Sequence, residues 1–168
     1  MTIKIINKGK KISERDIIAT QNILNCEFPG DYRKFLLETN GGKPETNEFD
    51  IPDMDNSSGI NEFLSLNEIA LQKKQYGDRF CHNVLPIAYA EGGNFVCIAI
   101  GEKAGVYFWD HEYETEGDKS ATWGNMFRLA STFSDFFEKI HKFDINQIKL
   151  KPGQITEIWV DPDFKPEF

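Results

Sequence analysis

Hydrophobic positions are densest over residues 84–111, where three apolar runs are separated by two glycine-bearing turns. The first run covers residues 84–90. Glu91-Gly92-Gly93-Asn94 can then reverse the chain, because Gly takes positive φ without steric cost and Asn tolerates it. The second run, residues 95–100, is apolar at every position. Side chains alternate faces along a strand, so this one belongs where both faces are covered. After a second turn over residues 101–105, Val106-Tyr107-Phe108-Trp109 supplies aromatic and β-branched residues for a third strand. The pattern predicts an antiparallel meander at the centre of a sheet.

Helical periodicity brackets this meander. Ser13 caps a predicted helix over 13–25, with Asp16 in its first turn, Ile17, Ile18 and Leu24 near one face and Ile23 beside it. A second helix opens at Pro29, carries the stripe Tyr32, Phe35, Leu36 and Thr39, and stops at Asn40-Gly41-Gly42. Phe49 and Ile51 mark a short strand, residues 60–66 another, and a helix over 67–76 takes Asn67 as its cap. Beyond the meander come a polar loop over 110–124 and a strand over 125–129. A helix capped by Ser131 or Thr132 follows, with Phe133, Phe136, Phe137 and Ile140 facing inward. Residues 145–150 and 155–160 read as a terminal hairpin around Lys151-Pro152-Gly153. Helices and strands mix without βαβ alternation, which makes the fold class α+β.

A chain of 168 residues suits one domain, and one that size buries enough surface to need no disulfide or metal staple. Cys26, Cys81 and Cys97 are odd in number, widely spaced and form no CxxC, which fits a reducing compartment. The start of the chain lacks the apolar core of a signal peptide, and no run reaches membrane-span length, so a cytoplasmic location without membrane insertion is expected. The net charge of −8 is unevenly placed. Residues 1–43 carry eight Lys/Arg against five Asp/Glu, residues 44–72 carry none against seven, and residues 112–138 carry two against six. Such a field repels nucleic acid and steers basic partners.

Three constellations suggest chemistry. The stretch from Asp53 to Glu62 resembles a calcium loop, but its sixth and twelfth positions are Ser58 and Leu64, where an EF-hand needs Gly and Glu. Asp110-His111-Glu112 sets a histidine between carboxylates at a strand end, where a hydrolase could use Asp110 and His111. The second histidine of HExxH is missing, because position 115 is Thr115, and there is no GxSxG. Gly92-Gly93-Asn94 precedes a strand instead of opening a helix, so it is not a phosphate loop. No metal or cofactor is called for.

Taken together, Phe28-Pro29-x-Asp31-Tyr32-x-x-Phe35-Leu36-x-x-x-Asn40-Gly41-Gly42, then Leu85-Pro86-Ile87-Ala88 with Gly93-Asn94, and Val106 to Glu112 resemble the ordered motifs of the SUKH superfamily, the Smi/Knr-type domain. The helix carrying Phe133 and Phe136 stands where that family closes. Phe28 replaces the usual Leu, and residues 143–168 form an extension beyond a domain core of about 12–142. The resemblance implies a curved, mainly antiparallel sheet flanked by about four helices. It also implies a bacterial immunity protein that neutralises a cognate polymorphic toxin by stoichiometric occlusion, often a toxin acting on nucleic acid. The fungal relatives suggest instead a non-catalytic regulatory or scaffold module. No catalytic residue comes with the family. The expected partner is a basic toxin, met by a monomer or weak homodimer. The toxin-binding surface expected from charge and position comprises Asp53, Asp55, Trp109, Asp110, Glu112, Glu114, Glu116 and Trp123.

Overall fold

A computed structural model describes residues 3–54, 56–114 and 121–143. The predicted meander is present: β5 (Val84–Ala90), β6 (Phe95–Ala99) and β7 (Gly105–Trp109) pair antiparallel. Every residue of β6 is buried, as expected of a strand that is apolar on both faces. The meander is extended on one side by β4 (Asn56–Phe63) and β3 (Glu48–Ile51), and on the other by β8 (Met126–Ala130). The result is an open six-stranded antiparallel sheet in the order β3-β4-β5-β6-β7-β8.

The sheet bends without closing into a barrel. A flat sheet would hold β3 and β7 about 19 Å apart, four spacings of roughly 4.8 Å. Phe49 of β3 and Phe108 of β7 nonetheless have ring centroids 5.9 Å apart, and Phe136 lies 5.5 Å from Phe49. Each edge strand has one hydrogen-bonded contact from outside the sheet, which interrupts an edge that would otherwise invite mispairing. After the closing helix α4 (Phe133–Lys139), His141 exchanges both backbone hydrogen bonds with Glu48 on β3. On β8, the Lys139 ammonium donates to the Leu129 carbonyl at 2.8 Å.

Two helices precede the sheet. α1 (Glu14–Leu24) starts with the capping box of Ser13 and Asp16, but it buries only Ile17 completely, while Ile18 and Ile23 face solvent. α2 (Gly30–Thr39) buries the expected stripe Tyr32, Phe35, Leu36 and Thr39. It packs toward α4, where the Asp31 carboxylate accepts from the Ser134 backbone N–H at 2.9 Å. α2 ends on Asn40 in the left-handed region, φ 46°. The next residues form β2 (Lys43–Pro44), which pairs with β1 (Ile5–Ile6) in a separate two-stranded sheet.

Two boundaries differ from the sequence pattern. β4 begins four residues before the expected Ile60, because Asn56 and Ser57 gain ladder partners in Ile51 and Asp50 despite lacking an apolar alternation. Most of the calcium-loop-like stretch, from Asn56 on, is therefore strand. The helix α3 (Leu66–Gln75) is capped by Ser65 instead of Asn67, in a capping box with Glu68. The terminal hairpin expected over 145–160 lies outside the described residues.

Candidate partner-binding surface

Strand direction decides which loops meet. The register pairs Ile51 with Asn56, Ile60 with Ala90, Phe95 with Trp109, and Trp109 with Met126. The β3–β4, β5–β6 and β7–β8 connections therefore all leave the same end of the sheet. Their sequences carry eight acidic residues (Asp53, Asp55, Glu91, Asp110, Glu112, Glu114, Glu116 and Asp118) against Lys119 alone. Parts of the two acidic segments thus leave the sheet at one end, where the described carboxylates include Glu91, Asp110, Glu112 and Glu114.

The β7–β8 connection begins as a 3-10 turn, His111–Tyr113, and Asp110 starts it. The Asp110 side chain accepts from the Glu112 backbone N–H at 2.9 Å and is buried, so it is a capping residue. His111 reaches across to the β5–β6 turn. The Asn94 side-chain oxygen accepts from the His111 backbone N–H at 3.1 Å and from its Nδ1 at 2.7 Å. Nδ1 therefore carries the hydrogen, and the two loops are tied together. That turn is tight because Gly92 and Gly93 adopt φ of 71° and 82°. Asp110 and His111, which a hydrolase would need as a pair, are committed to different partners. Among the described residues, no group of three or more His, Cys, Asp and Glu is placed to hold a metal.

The remaining candidate residues separate. Glu112 is exposed at this end, together with Glu91. Glu114 is held by Arg79 in a bidentate ion pair, with Arg79 Nη2 2.7 Å from the carboxylate. This hydrogen bond to Glu114 raises the Arg79 pKa, against an opposing effect of burial. Trp109 is not exposed on this surface: it is fully buried among Phe80, Phe95 and Tyr76, with ring centroids 5.0, 5.8 and 6.2 Å away. It alternates in the strand with Phe108, and both faces of β7 are covered, which is the physical reason it is core. Trp123 stands apart from the carboxylates. It packs edge-on against Tyr107 at 5.3 Å, with the Lys103 ammonium 4.3 Å over its ring. Asp53 lies in the 3-10 turn Pro52–Met54, and Asp55 and Glu116 lie outside the described residues.

Arg79 and Tyr76 also shape this end, although neither stands out in the sequence, and Glu91 and Asn94 were legible there only as turn and motif residues. Arg79 and Tyr76 approach it from the connection after α3, thirty-five positions before Glu114 in the case of Arg79. No local periodicity marks such a contact.

These features define a class: an α+β domain with an open antiparallel sheet whose loops form an acidic surface at one end. The chain belongs to the SMI1 / KNR4 family (SUKH-1), which it matches over residues 11–139. It is 32% identical over 179 residues to the SPbeta prophage-derived uncharacterized protein YokK of Bacillus subtilis (strain 168), across 94% of this chain and 86% of that protein.

Proposed function

We propose that this chain is an immunity protein that binds a cognate bacterial toxin one to one in the cytoplasm and occludes it. Membership of the SUKH-1 family supports an immunity-type or related module. The observation that carries the finer reading is the convergence of three acidic connections at one end of the sheet. Toxins that act on nucleic acid are basic around their sites, because they must hold a polyanion. An acidic end competes for that same basic surface. Complementary charge of this kind acts mainly on association rate and selectivity, while buried aromatic and apolar contacts hold the complex. Occlusion needs no catalytic group. Asp110 and His111 serve instead to fix the loop that presents Glu112.

The test is a triple charge reversal, Glu91→Lys, Glu112→Lys and Glu116→Lys, which leaves Glu114 in place because it holds Arg79. Co-expression with the adjacent gene's product, followed by a viability assay and pull-down, identifies the toxin. Stopped-flow mixing should then show association slowed by about tenfold or more at low salt, with a flatter salt dependence. An unchanged rate would remove this surface. A wild-type chain that neither protects nor binds would remove the immunity reading.

A further inference from the structure

Arg79 sits over two aromatic rings at the acidic end. Its guanidinium carbon is 5.0 Å from the ring centroid of Tyr76 and 5.0 Å from that of Trp109. Both oxygens of Glu114 grip the same group, through Nε at 3.0 and 3.1 Å and Nη2 at 2.7 Å. Aromatic faces together with a bidentate carboxylate are the features that recognise a planar guanidinium over a compact ammonium. The chain fills this pocket with its own arginine. Arg79 is 44% exposed and Glu114 31%, whereas the indole beneath is fully buried. Solvent therefore reaches the plug and not the pocket. The Trp109 Nε1 hydrogen has no acceptor among the described residues, so no described polar group pins the indole from within.

We propose that Tyr76, Trp109 and Glu114 form an arginine-recognition pocket, occupied by Arg79 in the free chain and by an arginine of the bound partner in the complex. The proposal rests on the acidic end being the partner-binding surface, and it specifies the partner's chemistry there. A lysine would satisfy the charge of Glu114 but not its paired oxygens and the flanking rings. Displacement is feasible because Arg79 is partly exposed, and its ion pair and two cation–π contacts hold it by about ten- to a hundredfold. A partner arginine anchored by neighbouring contacts acts at high effective concentration and exceeds that margin.

The chain alone tests the pocket. Arg79→Ala empties it, and ethylguanidinium should then produce a saturable shift of the Trp109 indole N–H resonance. Ethylammonium should produce a far smaller shift, and adding Glu114→Gln should abolish the response. If Arg79→Ala does not fold, Arg79→Lys serves, since ethylguanidinium should displace the ammonium from between the rings. No response, an equal response to ethylammonium, or one indifferent to Glu114→Gln would overturn the pocket. With the toxin, removing the internal competitor should tighten binding by at least about tenfold. Equal or weaker binding by Arg79→Ala would overturn the displacement. Failure of the wild-type chain to bind the toxin would count against the immunity reading alone, and the ethylguanidinium titration would still decide the pocket.

Discussion

At the scale of single residues, Asn40 shows how much one side chain can hold. The left-handed conformation that ends α2 suits Asn and Gly, which the sequence already indicates. The structure adds that its amide donates to the Lys10 carbonyl at 2.7 Å and its side-chain oxygen accepts from the Leu66 N–H at 2.9 Å. Three separate segments thus meet on one buried residue. Asn40→Ala forfeits both bonds and the favourable backbone preference, and urea unfolding should show a loss of about 2–4 kcal/mol. Cys97 makes the opposite point. Complete burial pushes its thiol well above the ordinary range, and burial also raises Cys26 and Cys81, less deeply enclosed. Thiolate is the reacting species, so a disulfide reagent at pH 8 should leave Cys97 untouched until the chain unfolds. Rapid native-state labelling at Cys97, located by mass spectrometry, would contradict this packing. The sequence placed Cys97 inside because its whole strand is apolar. It could not place Trp109, whose position at a strand end suits core and surface equally until the covering residues are known.

At the scale of elements, the sequence was most legible where one period ran unbroken. The meander, α2 and α4 were all visible because burial is strict along them. α1 was visible as a helix, but its burial was not. Ile18 and Ile23 point outward because the helix meets the body along one narrow stripe. Helix caps obey local chemistry, yet neighbouring candidates compete. Ser65 wins over Asn67 because Glu68 stands three residues after it and its carboxylate accepts a hydrogen bond from the Ser65 N–H at 2.8 Å. Ser65→Ala should cost about 1 kcal/mol in urea unfolding, while Asn67→Ala should cost nothing measurable. Equal losses would mean that the cap lies elsewhere. The early start of β4 was not legible, because Asn56 and Ser57 acquire strand geometry from their hairpin partners and not from any preference of their own.

At the scale of the molecule, charge is separated lengthwise along the sheet. The acidic connections lie at one end. Gly42 bridges Phe63 at the other end of β4, and Lys8, Lys10, Lys11 and Lys43 are exposed around the small sheet that follows from that contact. Along β4 that contact is about 25 Å from the β3–β4 connection and about 10 Å from Ile60, the level at which the β5–β6 turn leaves the sheet, both beyond the screening length of roughly 8 Å at physiological salt. Placement should therefore matter more than net charge. Lys8→Glu, Lys10→Glu and Lys11→Glu make the molecule more acidic by as much as the triple reversal at the other end makes it less so. Their effect on toxin association at physiological salt should stay within about twofold. A larger acceleration would show that the toxin responds to total charge, and would weaken the assignment of the acidic end.

By itself the sequence determined the α+β class, the meander, most helices and the uneven charge, because these depend on periods and sums over neighbouring residues. Its ordered motifs also carried the family resemblance. Only the tertiary structure decided that three connections carrying acidic residues, far apart in the chain, leave the same end of the sheet, since strand order and direction set which connections are neighbours. It also moved Trp109 into the core and set Arg79 against Glu114. Those placements depend on contacts between residues distant in sequence, which no local pattern encodes.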